Sequence, residues 1–204
     1  PFQVGYRLER GVYFSSDNDD YTDHFIEASG DFELNSRHRV NAVAQYEDGH
    51  EDRGTGFSLG LGTAITTPDR YKSTYLGGEY MYGAATSDGL ITLKANRETL
   101  DYDRSEQAYL IRDRVKNKVG AELGYRVGSA TTAVLDVTQT YVRYDNQTGI
   151  ETRDSDETRI LLGVTWESTA ATTGFAKVGY KEKDFESATR STFYGTDWEV
   201  GVEW

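Results

Sequence analysis

Apolar and polar residues alternate one for one through most of this chain, a period of two that places them on opposite faces of a β-strand. Trp198, Val200, Val202 and Trp204 alternate with Asp197, Glu199, Gly201 and Glu203. Ile160, Leu162, Val164 and Trp166 stand opposite Arg159, Leu161, Gly163, Thr165 and Glu167, and Ala176, Val178 and Tyr180 opposite Lys177, Gly179 and Lys181. Val119, Ala121, Leu123, Tyr125 and Val127 face away from Lys118, Gly120, Glu122, Gly124 and Arg126. Nearer the start, Ile26, Ala28, Gly30, Phe32 and Leu34 oppose Glu27, Ser29, Asp31 and Glu33. No stretch of helical length carries a 3.6-residue apolar stripe, so the fold class is all-β.

The spacing predicts ten strands, roughly at 2–15, 24–34, 37–47, 72–84, 89–103, 114–127, 132–145, 157–167, 173–185 and 192–204. Most exceed the five or six residues of an ordinary strand and match the roughly 9–11 that cross a bilayer at a tilt. Their connections alternate between short turns and longer polar loops, the habit of outer-membrane barrels with short periplasmic turns and long external loops. One segment breaks the alternation. Phe57, Leu59, Leu61 and Ile65 alternate with small residues like a further strand. Counting it would place two short connections in succession, so it is assigned to a long external loop at 48–71, as a hairpin arm. The 204 residues are taken as a single barrel domain, 1–204.

Composition narrows the choice. The longest apolar run, Ile160-Leu161-Leu162-Gly163-Val164, is far short of the roughly 20 residues that a membrane-crossing helix needs. Without cysteine there is no disulfide scaffold and no thiolate chemistry. With 34 acids against 22 bases and a net charge of −12, the chain lacks the basic excess of a nucleic-acid surface.

A soluble β-sandwich also alternates, but it turns its apolar faces inward and uses shorter strands with Pro-rich and Gly-rich corners. Here the polar face is rich in charge and glycine, which suits a hydrated lumen: Glu27, Asp31, Glu79, Lys94, Lys116, Lys118, Glu122, Arg126, Asp136, Arg159, Lys177 and Glu199 are the pore-lining candidates. Tyr46, Tyr82, Tyr125, Tyr144, Trp166, Tyr180 and Trp204 lie near strand ends on the apolar face, where amphipathic rings form an interfacial girdle against outer-membrane lipid. In lipid every backbone polar group needs an internal partner, which favours an antiparallel up-and-down transmembrane β-barrel. About ten strands are visible, either closing on themselves or forming part of a larger barrel. Ten alone would enclose a narrow interior, since about eight give a barrel filled by side chains and about sixteen an aqueous channel.

Several motifs occur together and in order: Glu47-Asp48-Gly49-His50-Glu51-Asp52-Arg53-Gly54, Leu100-Asp101-Tyr102-Asp103, Leu162-Gly163-Val164-Thr165-Trp166-Glu167, Lys177-Val178-Gly179-Tyr180, Lys183-Asp184-Phe185 and Trp198-Glu199-Val200. Through them the chain resembles the putative beta-barrel porin family of Gram-negative outer membranes, whose members commonly sit in exopolysaccharide or capsule gene clusters. The resemblance implies a bacterial outer-membrane location and a role as conduit or partner in surface polysaccharide export, with polysaccharide and export-machine subunits as partners. The closing residues Trp198, Val200, Val202 and Trp204 are similar to the C-terminal signal read by the barrel-assembly machinery. A non-conducting barrel whose external loops bind a surface polymer or protein is the alternative.

No catalytic constellation stands out: there is no Gly-x-Ser-x-Gly elbow and no phosphate-cradling Gly-Lys loop, so no enzyme and no cofactor is expected. His24, His38 and His50 lie at strand ends or in a loop, and none is assigned to a metal. The acidic runs 17–20 and 154–157 read as solvated loop, since neither follows a calcium-loop pattern. His50, Glu51, Asp52 and Arg53, in the longest loop, are candidates either to constrict a pore or to fix the loop through an Arg–carboxylate pair.

Overall fold

The computed structural model describes residues 1–55, 66–84, 86–103, 110–147, 151–169 and 172–204. The hairpin arm expected at Phe57–Ile65 lies outside the described residues. Ten strands follow one another: β1 (Phe2–Gly11), β2 (Tyr21–Asn35), β3 (His38–Glu51), β4 (Asp69–Tyr82), β5 (Gly89–Tyr102), β6 (Arg114–Arg126), β7 (Thr131–Tyr144), β8 (Ser155–Thr169), β9 (Thr172–Phe185) and β10 (Phe193–Glu203). Each pairs antiparallel with the next, so the sheet order is the chain order, with β1 and β10 at its two edges. This is the expected up-and-down arrangement, a curled sheet whose edge strands do not pair with each other among the described residues.

The register carries the two-faced pattern across the whole sheet. One row of paired residues runs Val40, Tyr80, Leu93, Ala121, Val137, Ile160, Tyr180. The adjacent row runs Asp31, Asn41, Glu79, Lys94, Gly120, Thr138, Arg159, Lys181. The apolar face lies open: Leu162 is 64% exposed and Trp198 69%. Among the described residues only Tyr102, Val134 and Leu161 are buried hydrophobics, which leaves no apolar core of the kind a soluble sandwich needs. The polar face is the concave one, because residues as far apart as Ser29 on β2 and Glu199 on β10 line a single cavity there.

Glycines make the tightest corner. At Gly179 an added Cβ would lie 1.9 Å from the Ile160 carbonyl oxygen, and at Gly163 it would lie 2.1 Å from that of Ala176. Strands β8 and β9 therefore fold closely over each other, as sheets do where a glycine removes the side chain that would hold them apart. Leu161, wholly buried, lies two residues before Gly163 and pairs with Gly179.

The connections alternate as the sequence predicted. On one side, Asn35 accepts from the backbone N–H groups of Arg37 (2.9 Å) and His38 (3.2 Å), an Asx turn closing β2 onto β3. On the same side, Gly83 has φ +132° and its N–H reaches the Arg37 carbonyl at 2.9 Å, joining two neighbouring turns.

Four strand ends differ on the other side, those of β1, β2, β3 and β4. The third strand continues to Glu51 and the fourth begins at Asp69, so the long connection spans 52–68 rather than 48–71, and His50 and Glu51 are strand residues. Polar side chains do not stop a ladder: His50 pairs with Arg70 and Glu51 with Asp69. The first strand ends at Gly11 rather than near 15, and a 3-10 turn forms at Asp17–Asp19. There the Tyr13 N–H is taken by the Asp20 carboxylate at 2.8 Å and the Ser16 hydroxyl by Asp19 at 2.5 Å, local bonds that compete with strand pairing.

Candidate functional site

All twelve pore-lining candidates occupy the polar face by register, but the structure brings only some of them together. Lys177 on β9 reaches past β8 to Asp136 on β7, at 3.5 Å, and past β7 to Glu122 on β6, at 2.6 Å. Lys94 on β5 lies 3.7 Å from the same Glu122 carboxylate. Arg159 on β8 bridges over β9 to Asp197 at 2.7 Å and Glu199 at 2.6 Å, both on β10. The Lys177 and Arg159 pairs cross intervening strands because the sheet curls; on a flat sheet, strands about 4.8 Å apart would separate them.

The remaining candidates stand apart. Lys116 is 4.0 Å from Glu98 on the neighbouring strand, and Glu27 accepts from Gln45 at 2.9 Å. Arg126 ends β6 beside the short turn, where its N–H donates to the Asp88 carbonyl. Asp31, Glu79 and Lys118 line the shared cavity and make no ion pair among the described residues. Among the candidates, Glu27, Asp31 and Glu79 come from β2 and β4, while β5 to β10 carry both signs.

Of the girdle candidates, Tyr46, Tyr82, Tyr125 and Tyr180 are exposed on the convex face, Trp204 is exposed just beyond β10, and Trp166 is half-buried on β8. Tyr144 is a correction. It pairs with Arg114 on the polar face and lies under the Arg153 guanidinium, 4.3 Å from its ring centre. Strand parity, once β7 is anchored by Asp136 and Thr138, gives this face directly.

The loop-bearing end is held by contacts that run from each connection to the next. Arg53 pairs with Asp19 of the β1–β2 connection and reaches Ser16 at 3.2 Å. Glu51 accepts from the Tyr102 hydroxyl at 2.7 Å and from Arg112 of the β5–β6 connection at 3.2 Å. Asn146 and Arg153 of the β7–β8 connection donate back to the carbonyls of Leu110 and Ile111, at 3.3 and 3.1 Å. Glu151 takes hydrogen bonds from Ser187 and Thr189 of the β9–β10 connection. The five connections therefore form a continuous collar.

His50 is enclosed in the same region. Its Nδ1 lies 2.7 Å from Asp23, its Nε2 3.2 Å from Asp52, and its ring stacks on Tyr21 with centroids 3.8 Å apart. The four loop candidates are thus joined to neighbouring connections and strand ends. Arg112, Asp113 and Arg153 are not among the residues the sequence singles out, and Tyr102 enters there only within the Leu100–Asp103 motif. Their signal is a repeat: Arg112-Asp113 and Arg153-Asp154 each place a guanidinium over the preceding strand's last ring and a carboxylate on that ring residue's N–H, at 2.8 Å for both Tyr102 and Tyr144. The acidic runs at 17–20 and 154–157 serve these contacts, and no group of three or more His, Asp or Glu among the described residues is placed to hold a metal.

A ten-stranded meander with an open apolar outside, charges on its concave inside, aromatics at its edges and loops on one end is the wall of an outer-membrane type β-barrel. The chain belongs to the family described as Putative beta-barrel porin 2, whose model matches residues 4–204. Among solved structures it is similar to in-vitro folded OmpT, an outer membrane protein of Vibrio cholerae, at 14% identity and a TM-score of 0.52, covering 100% of this chain and 62% of that one. A loop L8 deletion mutant of the same protein matches at 16% identity and 0.51, covering 100% and 61%. At these identities the likeness is one of fold, and the chain spans about three fifths of the length of the barrels it matches. No curated protein matches the chain.

Proposed function

We propose that the protein works in the bacterial outer membrane as a porin-like wall whose concave face carries hydrated solutes, in service of surface polysaccharide export. The observation that carries this reading is the cavity shared by β2 through β10, lined by Asp31, Glu79, Lys94 and Lys118. A face with fixed charge of both signs stays wet and sorts solutes by width and charge, without a dedicated pocket. Glu79 on β4 pairs in register with Lys94 on β5, so unlike charges stand side by side along such a passage. The family and the outer-membrane neighbours support the location, and the porin family supports a non-enzymatic role. The polysaccharide, the export-machine subunits and the barrel-assembly machinery enter as partners through the family resemblance.

Single-channel recording in a planar bilayer tests it. Steady steps whose ion selectivity shifts toward cations on Lys116→Glu support a charge-tuned passage. A protein that inserts, migrates differently on gels when unboiled, and never conducts would remove the conduit. The linked collar favours that second outcome's reading, a non-conducting barrel whose external surface binds a polymer or another protein. Under it, deleting residues 52–68 abolishes binding.

A further inference from the structure

We propose that Lys177 sets both the bore and the ion preference of the passage, acting as a clasp that draws one side of the polar face shut. The inference rests on the conduit reading above. Lys177 is the polar-face lysine whose ammonium reaches across two intervening strands, from β9 to Glu122 on β6, with Asp136 on β7 beneath it. Its side chain is only 10% exposed, whereas Lys94, Lys116 and Lys181 on the same face are 38%, 43% and 30% exposed. A long side chain so withdrawn on a hydrated face is packed in place rather than waving in solvent.

The neighbours are built around it. Gly163 is the β8 residue paired with Lys177, and its missing side chain leaves the lysine's own Cα in close approach to β8. Glu122 is shared with Lys94, and Asp136 accepts from the Thr138 hydroxyl at 3.0 Å, so both carboxylates are held where the ammonium meets them. Arg159 repeats the device one strand on, tying β8 to β10. The wall from β5 to β10 is therefore drawn together by ion pairs, whereas Asp31 and Glu79, on β2 and β4, line the cavity with no ion pair among the described residues. Removing the Lys177 charge leaves Glu122 and Asp136 with Lys94 as their nearest cation. The passage then widens and becomes more negative.

The test uses the absence of cysteine from the whole chain, so that Lys177→Cys carries the single thiol. The full protein is reconstituted in a planar bilayer, and the same channels are recorded before and after modification. The thiolate attacks an aminoethyl methanethiosulfonate, methanesulfinate leaves, and the resulting mixed disulfide restores an ammonium at nearly lysine length. The expected result is a larger unitary step and a reversal potential shifted toward cations in Lys177→Cys, both reversed by aminoethylation and not by methyl methanethiosulfonate. Wild-type steps and reversal potential in Lys177→Cys overturn the proposal while leaving the conduit standing, as does an equal response to both reagents. If wild type is silent and Lys177→Cys conducts until aminoethylated, the clasp stands and the wild-type open passage falls. If neither conducts, both fall. Because the reagents are applied to channels already inserted, impaired folding of the variant does not imitate a reversal by aminoethylation, and the heat-modifiable gel shift of Lys177→Cys identifies a variant that fails to fold.

Discussion

At the scale of single residues, two carboxylates at the loop-bearing end behave oppositely. Burial pushes the Asp113 carboxyl above the usual carboxylate range, against the opposing hydrogen bond from the Tyr102 N–H. Below the ordinary value both folded and unfolded chains are protonated there and Asp113 contributes no pH dependence. As pH rises, the unfolded chain ionises first, so stability falls until the folded pKa is passed. Asp113→Asn keeps an acceptor for Tyr102 and is expected to raise resistance to urea at neutral pH with no difference in acid, read from the heat-modifiable gel shift. Asp19 is shifted the other way, held below the usual range by the hydrogen bond from Arg53 and then by that from Ser16. Its link to Arg53 is present above the ordinary carboxylate range and is lost as pH falls through the lowered value. Asp19→Asn should therefore speed protease cleavage within 52–68 at neutral pH and make no difference in strong acid. The pair is exposed, and salt should weaken it.

At the scale of elements, the strands were legible and their ends were not. Period-two alternation located all ten, because a face-to-face difference in polarity is written directly into neighbouring residues. It missed the continuation of β3 through His50 and Glu51, since two polar residues in succession erase the alternation while the ladder goes on. It also placed Tyr144 on the wrong face, by residue type rather than by parity with Asp136. The ion pairs were legible only as a list of charges. Which lysine meets which carboxylate depends on curvature, and curvature depends on Gly163 and Gly179, whose role shows only once strands are laid side by side. Gly179→Ala should cost about 1–3 kcal/mol of folding stability, because the methyl meets a backbone carbonyl that cannot swing away. Gly5→Ala, with nothing within 4 Å of its added Cβ, is the matched control and should be close to neutral in urea titration of the lipid-refolded protein.

At the scale of the whole molecule, the decisive property is that the sheet is inside out. A soluble protein hides its leucines; this one presents Leu162 near the middle of β8 on the convex face. Leu162→Lys should therefore cost about 2–4 kcal/mol in a bilayer, the range for a lysine near the midplane of a lipid-facing strand. A small effect would mean that this face meets water. The measurement is equilibrium unfolding from lipid vesicles, and it tests orientation without reference to conductance. What the molecule as a whole does was less legible than its shape, since charges on a wet wall tune passage collectively and no single motif announces it.

The collar has a consequence in heredity. Each connection is fastened to the one beside it, so a substitution on one side of a link strips its partner of a reason to persist. Asp19 with Arg53, Glu51 with Arg112, and Glu151 with Ser187 should change as couples when this barrel diverges, and its outward-facing loops should drift more slowly than loops that answer only to themselves.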